Sequence, residues 1–160
     1  MQHKAVGAAL ALVLILMFCE LRELYQEVIL DHGKNPRNFG VLEHYTFTAE
    51  GNNPMCGDQL TVYIDIKVDI VSDVSYRARG CAISIASASI MSSMIKGRTI
   101  EEVHLLFDKF HKLCTGQEVE EDDDTEKLQV LSGVSEFPTR VKCATMSWHA
   151  VDSAIKNKNA

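Results

Sequence analysis

Leu60, Val62, Ile64, Ile66 and Val68 occupy every second position of one stretch, and Val74, Tyr76 and Ala78 resume the pattern after a short gap. A period of two sets apolar side chains on one face of a strand and polar ones on the other. The gap is too short for the crossover that parallel pairing requires, so the two stretches are expected to form an antiparallel hairpin. Tyr45 and Phe47 alternate with polar neighbours just upstream and add a third strand. Such a sheet keeps one apolar face, and the rest of the chain has to cover it.

The remaining periodic segments are helical. Leu21, Leu24, Tyr25, Val28 and Ile29 recur at helical spacing between Glu20 and His32, with Gly33 and Pro36 as stop signals. Ala82 to Lys96 carries Ile83, Ala86, Ile90 and Met94 on one face, and Gly97 closes it. Thr99 and Glu102 form a capping box ahead of Val103, Leu106, Phe107, Phe110, Leu113 and Cys114, and Gly116 ends that helix. A short helical piece over about Glu126 to Leu131 precedes a loop from Ser132 to Pro138. A last helix, from about Thr139 to Lys156, carries Val141, Ala144, Trp148, Val151 and Ile155. Helix, three strands, then helices predicts an α+β fold, a three-stranded antiparallel sheet with helices packed on one face.

With 160 residues, 46% of them apolar, the chain can bury one core without disulfides, so its five cysteines need another account. Sixteen basic against twenty-two acidic residues give a net charge of -6, which removes the general attraction to phosphates that a nucleic-acid binder uses. Seven of the acids fall within the nine residues Glu118 to Glu126 and read as a solvated loop. Consecutive Asp122, Asp123 and Asp124 lack the spacing and glycine of a calcium loop. Ala5 to Cys19 is uncharged and mostly apolar, yet shorter than the about 20 residues of a membrane span. No convincing small-residue cleavage site follows it. An export signal, a membrane-surface anchor and an upstream extension compete for this stretch; residues 1–19 are set apart as an apolar N-terminal extension, one that lengthens the first helix or associates with another chain, and residues 20–160 are taken as the domain.

Four side chains at element boundaries carry chemistry: Cys56, Asp58, Cys81 and Cys143. Cys56 and Asp58 are two apart, so in extended chain both point the same way, and Gly57 between them lets the backbone turn closely. Cys81 falls where the third strand gives way to a helix. Cys143 is expected in the first turn of the last helix, where unpaired amides and the helix dipole favour a thiolate. Three cysteines and a carboxylate suit a tetrahedral zinc ion, and thiolate-rich ligation also suits an iron-sulfur cluster. No CxxC pair is present, however, and the intervals are 25 and 62 positions. Spacing by itself favours buried inert thiols over a metal site.

Longer stretches around these residues resemble a known family. Leu24-Tyr25 through Val28-Ile29-Leu30-Asp31-His32, Asn35-Pro36-Arg37-Asn38, and Asn52-Asn53-Pro54-Met55-Cys56-Gly57-Asp58 are similar to segments of the U-type iron-sulfur cluster assembly proteins. So are Gly80-Cys81-Ala82-Ile83-Ser84-Ile85-Ala86-Ser87-Ala88-Ser89 and Phe137-Pro138-Thr139-Arg140-Val141-Lys142-Cys143-Ala144-Thr145. The resemblance covers about residues 20 to 156. Within it the chain looks like the SufU type more than the IscU or NifU scaffolds. Lys142 stands where the scaffolds carry His before the third cysteine, and the stretch from Cys81 to Cys143 is long, as in the SufU type. Glu136-Phe137-Pro138-Thr139-Arg140 replaces the chaperone-recognition motif Leu-Pro-Pro-Val-Lys, which puts a dedicated Hsp70 partner in question.

The resemblance implies a zinc-dependent sulfurtransferase. It would accept persulfide sulfur from a pyridoxal-phosphate cysteine desulfurase of the SufS type and pass it to a downstream iron-sulfur assembly scaffold. Carried over residue by residue, Cys56, Asp58, Cys81 and Cys143 are the zinc ligands, Cys56 is the sulfur acceptor, and Arg140 steadies the site or the partner complex. The alternative is a scaffold on which a 2Fe-2S cluster is assembled and transferred, using the same ligands; a closed structural zinc site is a third reading. Such a protein would work in the cytoplasm, where its thiolates stay reduced, without nucleic acid and without a membrane span.

Other candidates have plainer readings. Cys114 lies on an apolar helical stripe and is expected to be a small core residue. His104 and His111 are seven apart with no third ligand, and Ser84, Ser87 and Ser89 serve close packing. Cys19 is a bystander, and His32, at the end of the first helix, complements the helix dipole.

Overall fold

The computed structural model describes residues 2–157, with side chains from residue 6 onwards. Helix α1 (Gln2–Lys34) leads to three strands, β1 (Phe47–Asn53), β2 (Asp58–Lys67) and β3 (Ile70–Arg79). Helices α2 (Ala82–Ile95), α3 (Ile100–Cys114) and α4 (Asp123–Leu128) follow, then a 3-10 helix (Gln129–Glu136) and α5 (Pro138–Asn157). The strands form one antiparallel sheet in the order β1-β2-β3. This is the expected α+β architecture.

Alternation sets the faces. Leu60, Val62 and Ile64 of β2 are buried, whereas Gln59, Thr61, Tyr63 and Asp65 keep at least part of their surface in water. The buried row meets Ala78, Tyr76 and Val74 across the β2–β3 ladder. Helix α5 packs on β1 and β2, α2 on β3 and α5, and α1 on α2. Gly51 makes room for this layer: a Cβ there would approach Met146 Cγ of α5 to 2.9 Å. The core continues through Met91, Ile95, Leu128 and Leu131 to Phe110, whose ring stacks on Trp148 at 4.9 Å between centroids. Removing a ring so placed typically costs about 3–5 kcal/mol.

Several local signals behave as their chemistry dictates. The Thr99 hydroxyl accepts the Glu102 amide at 3.1 Å while the Glu102 carboxylate accepts the Thr99 amide at 2.8 Å, closing the capping box of α3. Gly97 and Gly116 take positive φ at the ends of α2 and α3. Small serines let α1 and α2 meet. The Ser89 hydroxyl oxygen accepts the Arg37 amide at 2.9 Å and lies 2.7 Å from His32 Nδ1.

Other expectations need correction. Val68 is not an inward strand residue. With Asp69 it forms the β2–β3 turn at φ 49° and 62°, and it is 95% exposed. A bulge at Asp65/Ile66 has already shifted the register. His32 is no dipole cation; partial burial lowers its pKa and favours the neutral ring. The acidic run is not all loop, because Asp122 caps α4 through the Thr125 amide at 2.8 Å and Asp124 pairs with Arg98 at 2.8 Å. The segment read as a loop from Ser132 is mostly the 3-10 helix, held by burial of Leu131 and Val134. By contrast, α1 runs unbroken through the apolar stretch, which lengthens the first helix, one of the two readings given for it.

Candidate metal centre

Asn53 closes β1 directly opposite Asp58, which opens β2, so Pro54 to Gly57 must reverse the chain. Two bonds shape the turn: the Asn53 side-chain oxygen accepts the Met55 amide at 3.3 Å, and its carbonyl accepts the Cys56 amide at 3.2 Å. Gly57 takes φ +69°, which a side chain would resist. Cys56 and Asp58 therefore meet through a turn and not along extended chain as expected. Cys56 remains exposed at its tip, and Asp58 is fully buried at its foot.

Asp58 is fixed from the next junction. Its Oδ1 accepts the Cys81 amide at 2.7 Å, and the Cys81 thiol lies 3.6 Å from Oδ2. Cys81 is the N-cap residue of α2, and its side chain makes no capping bond, so the sulfur is left for the site. Gly80 is at φ +150°, and a Cβ on it would fall 2.1 Å from Asp58 Oδ1. Only glycine admits the buried carboxylate here.

Cys143 completes the cluster from α5. Its Sγ lies 3.2 Å from Cys56 Sγ, receives the Asn53 side-chain N–H at 3.4 Å and points its thiol at the Thr139 carbonyl, 3.7 Å away. Because α5 begins at Pro138, Cys143 is in the second turn, beyond the free amides expected to favour its thiolate. Its acidity runs the other way. Burial raises the Cys143 pKa, and hydrogen bonding with Asp58 and Cys56 and the charge of Cys81 raise it further. A buried thiol whose ionisation its surroundings oppose accommodates a cation, whose charge lets it ionise.

Among the described residues, ligand atoms of Cys56, Asp58 and Cys143 lie within 4.8 Å of one another, close enough to hold one metal ion. Cys81 stands outside that trio and touches it through Asp58. Arg140 lies elsewhere, with its guanidinium carbon 5.9 Å from the centroid of the exposed Phe137 ring. Lys142 is exposed. Cys114 is buried in the core, where burial pushes its thiol up to about 12 and keeps it inert. Cys19 is exposed on α1. Asn53 was not singled out from the sequence. Its signal is positional, since the inward alternation of β1 ends on an amide beside the turn.

This is an α+β domain with thiols and a carboxylate gathered where strands turn and helices begin, a group that could hold a metal ion. The chain belongs to the NifU-like N-terminal domain family, whose pattern matches residues 24–112. It is 42% identical over 135 residues to the zinc-dependent sulfurtransferase SufU of Bacillus subtilis, covering 84% of this chain and 91% of that protein. It is 36% identical over 137 residues to the iron-sulfur cluster assembly scaffold protein IscU of Streptococcus pyogenes, covering 86% of each. A crystal structure from Fervidobacterium islandicum, of a protein assigned as an iron-sulfur cluster assembly scaffold for the SUF system, superposes with a TM-score of 0.76 at 31% identity. That match covers 81% of this chain and 94% of the other. No helix among the described residues is long and apolar enough to cross a membrane.

Proposed function

We propose that this chain is a zinc-bound sulfur acceptor that takes persulfide sulfur from a pyridoxal-phosphate cysteine desulfurase for iron-sulfur cluster assembly. The observation that carries the reading is the position of Cys56, an exposed thiol 3.2 Å from the buried Cys143 sulfur and grouped with Asp58. The donor set fits zinc, with two soft sulfurs and one carboxylate in the trio and Cys81 as the fourth ligand, beside Asp58. Bound zinc would supply positive charge that keeps the thiols ionised, without redox chemistry of its own. The likeness to a zinc-dependent sulfurtransferase points the same way.

In the transfer, the Cys56 thiolate attacks the terminal sulfur of the desulfurase persulfide. The partner's sulfur–sulfur bond breaks, its cysteine leaves as thiolate, and Cys56 retains the sulfur as a persulfide. The short turn lets Cys56 reach outward while Asp58 and Cys143 stay anchored on β2 and α5. Arg140, exposed one turn before Cys143, serves the docked partner. The cytoplasm suits these free thiols.

The scaffold reading, in which the same four residues hold a 2Fe-2S cluster, draws on the likeness to IscU. Lys142 weighs against it, since an exposed ammonium adds no donor beside Cys143. Anaerobic purification followed by metal analysis and incubation with desulfurase and cysteine separates the two. One zinc per chain and one added sulfur on Cys56 are expected, abolished by Cys56→Ser and unaffected by Cys114→Ala. Stoichiometric iron and sulfide without zinc would sink the sulfurtransferase reading.

A further inference from the structure

Every residue of α1 from Val6 to Cys19 is exposed. Val6, Leu10, Leu14, Met17 and Phe18 are 68%, 62%, 48%, 60% and 65% exposed. Helices on a protein surface normally hide one apolar stripe and wet the other side. Here no wet side exists. At 3.6 residues per turn, the seven consecutive exposed apolar residues Leu12 to Phe18 surround the axis with no gap wider than about 60°.

That circumference selects the occupant. A partner helix or groove covers a stripe of roughly 100° and would leave the rest of these side chains in water, so one second copy of the chain does not satisfy the segment. A hydrocarbon layer covers every side at once. Ala5 to Cys19 contains no charge, and Lys4 ahead of it and Glu20, Arg22 and Glu23 behind it mark where insertion must stop. Fifteen residues rise about 22 Å, less than the about 30 Å of a bilayer core. With a charge at each end, Lys4 and Glu20, the segment is submerged along one leaflet, both ends at the headgroups, without spanning. The charges beside the segment, Lys4, Glu20, Arg22 and Glu23, sum to zero, so anionic headgroups contribute no net attraction.

We propose that residues 5–19 anchor the chain to lipid bilayers by burying an all-round apolar helix segment in the hydrocarbon of one leaflet, holding the domain at the membrane surface. The anchor is independent of the sulfur-transfer reading, and its readout involves no metal. Full-length protein is mixed with phosphatidylcholine vesicles and floated through a density gradient, beside a full-length Leu14→Glu, Leu16→Glu variant. Both positions are exposed and lie on opposite sides of the helix, so the domain's circular dichroism and melting temperature stay unchanged. The unsubstituted chain is expected to float with the vesicles, the variant's bound fraction to fall at least tenfold, and added phosphatidylserine not to increase binding. Failure of the unsubstituted chain to float, or equal flotation of the variant, overturns the proposal. So does a lipid-free oligomer that the substitutions dissolve while vesicles stay bare, which would give the segment to copies of the chain.

Discussion

The sulfur atoms of Cys56 and Cys143 lie 3.2 Å apart across 87 positions of sequence, one exposed on a β-turn and the other buried in the second turn of α5. Cys143 ties the cluster to the core, while Cys56 faces solvent. Anything that tilts α5 against β1 changes this distance, and two small features hold that contact: Gly51 under Met146, and Asn53 beside Cys143.

Asn53→Ala removes the N–H that orients the Cys143 sulfur and the acceptor that shapes the turn. Outer partners of metal ligands are typically worth about 10–100-fold in affinity. Competition with a chromophoric chelator should show a loss in that range, with the far-ultraviolet circular dichroism unchanged. An affinity equal to that of the unsubstituted protein would reduce Asn53 to a turn former.

Gly80→Ala should act on both folding and metal. Its Cβ would fall 2.1 Å from Asp58 Oδ1, and φ +150° adds strain of order 1–3 kcal/mol. Asp58 must swing away, breaking its bond to the Cys81 amide. We expect a lowered melting temperature and a metal content well below that of Gly97→Ala, a glycine also at positive φ but with open space around it. Equal metal content in the two variants would show that the Asp58 cradle is dispensable.

The sheet was legible because Leu60, Val62 and Ile64 alternate, and α3 because its capping box and its stripe agree. Val68 misled because alternation continues in sequence while the bulge at Asp65/Ile66 and a positive-φ turn end it in space. Residue types at the site were visible, but their convergence was not. Cys56, Asp58 and Cys143 meet through a turn, a ladder register and a helix packing that no spacing rule encodes, and resemblance, not geometry, joined them beforehand. The acidic run was misjudged because composition does not reveal that Lys109, Arg98 and Thr125 wait for its carboxylates.

Asp122 gives that run a measurable role. Pairing with Lys109, then bonds from the Thr125 amide and hydroxyl, hold its carboxyl below the ordinary value of 3.8. A lowered folded-state pKa adds stability above the unfolded value and loses it as pH falls through the folded one. Asp122→Ala should therefore lower the melting temperature at pH 7 and flatten its decline below about pH 4. Metal content should not change. A variant that melted like the unsubstituted protein at both pH 7 and pH 3 would return the run to a solvated loop.

Proton release tests Cys143 itself. Burial first, then Asp58 and Cys56, raise its pKa above the ordinary 9.0, so at pH 7 the metal-free thiol holds its proton. A raised folded-state pKa contributes stability below the unfolded value and loses it as pH rises through the folded one. Cys114, pushed up to about 12, acts with the same sign. The melting temperature of metal-free protein should accordingly fall between about pH 8 and pH 10, where the unfolded thiols ionise and the folded ones resist. Metal binding reverses the preference, because a ligating thiol must be ionised. Calorimetric titration with zinc at pH 7, in buffers of different ionisation enthalpy, should register proton release that drops by about one in Cys143→Ala and is untouched in Cys114→Ala. If Cys143→Ala released as many protons as the unsubstituted chain, the buried sulfur would not be a ligand, and the cation would be held by the exposed side of the site alone.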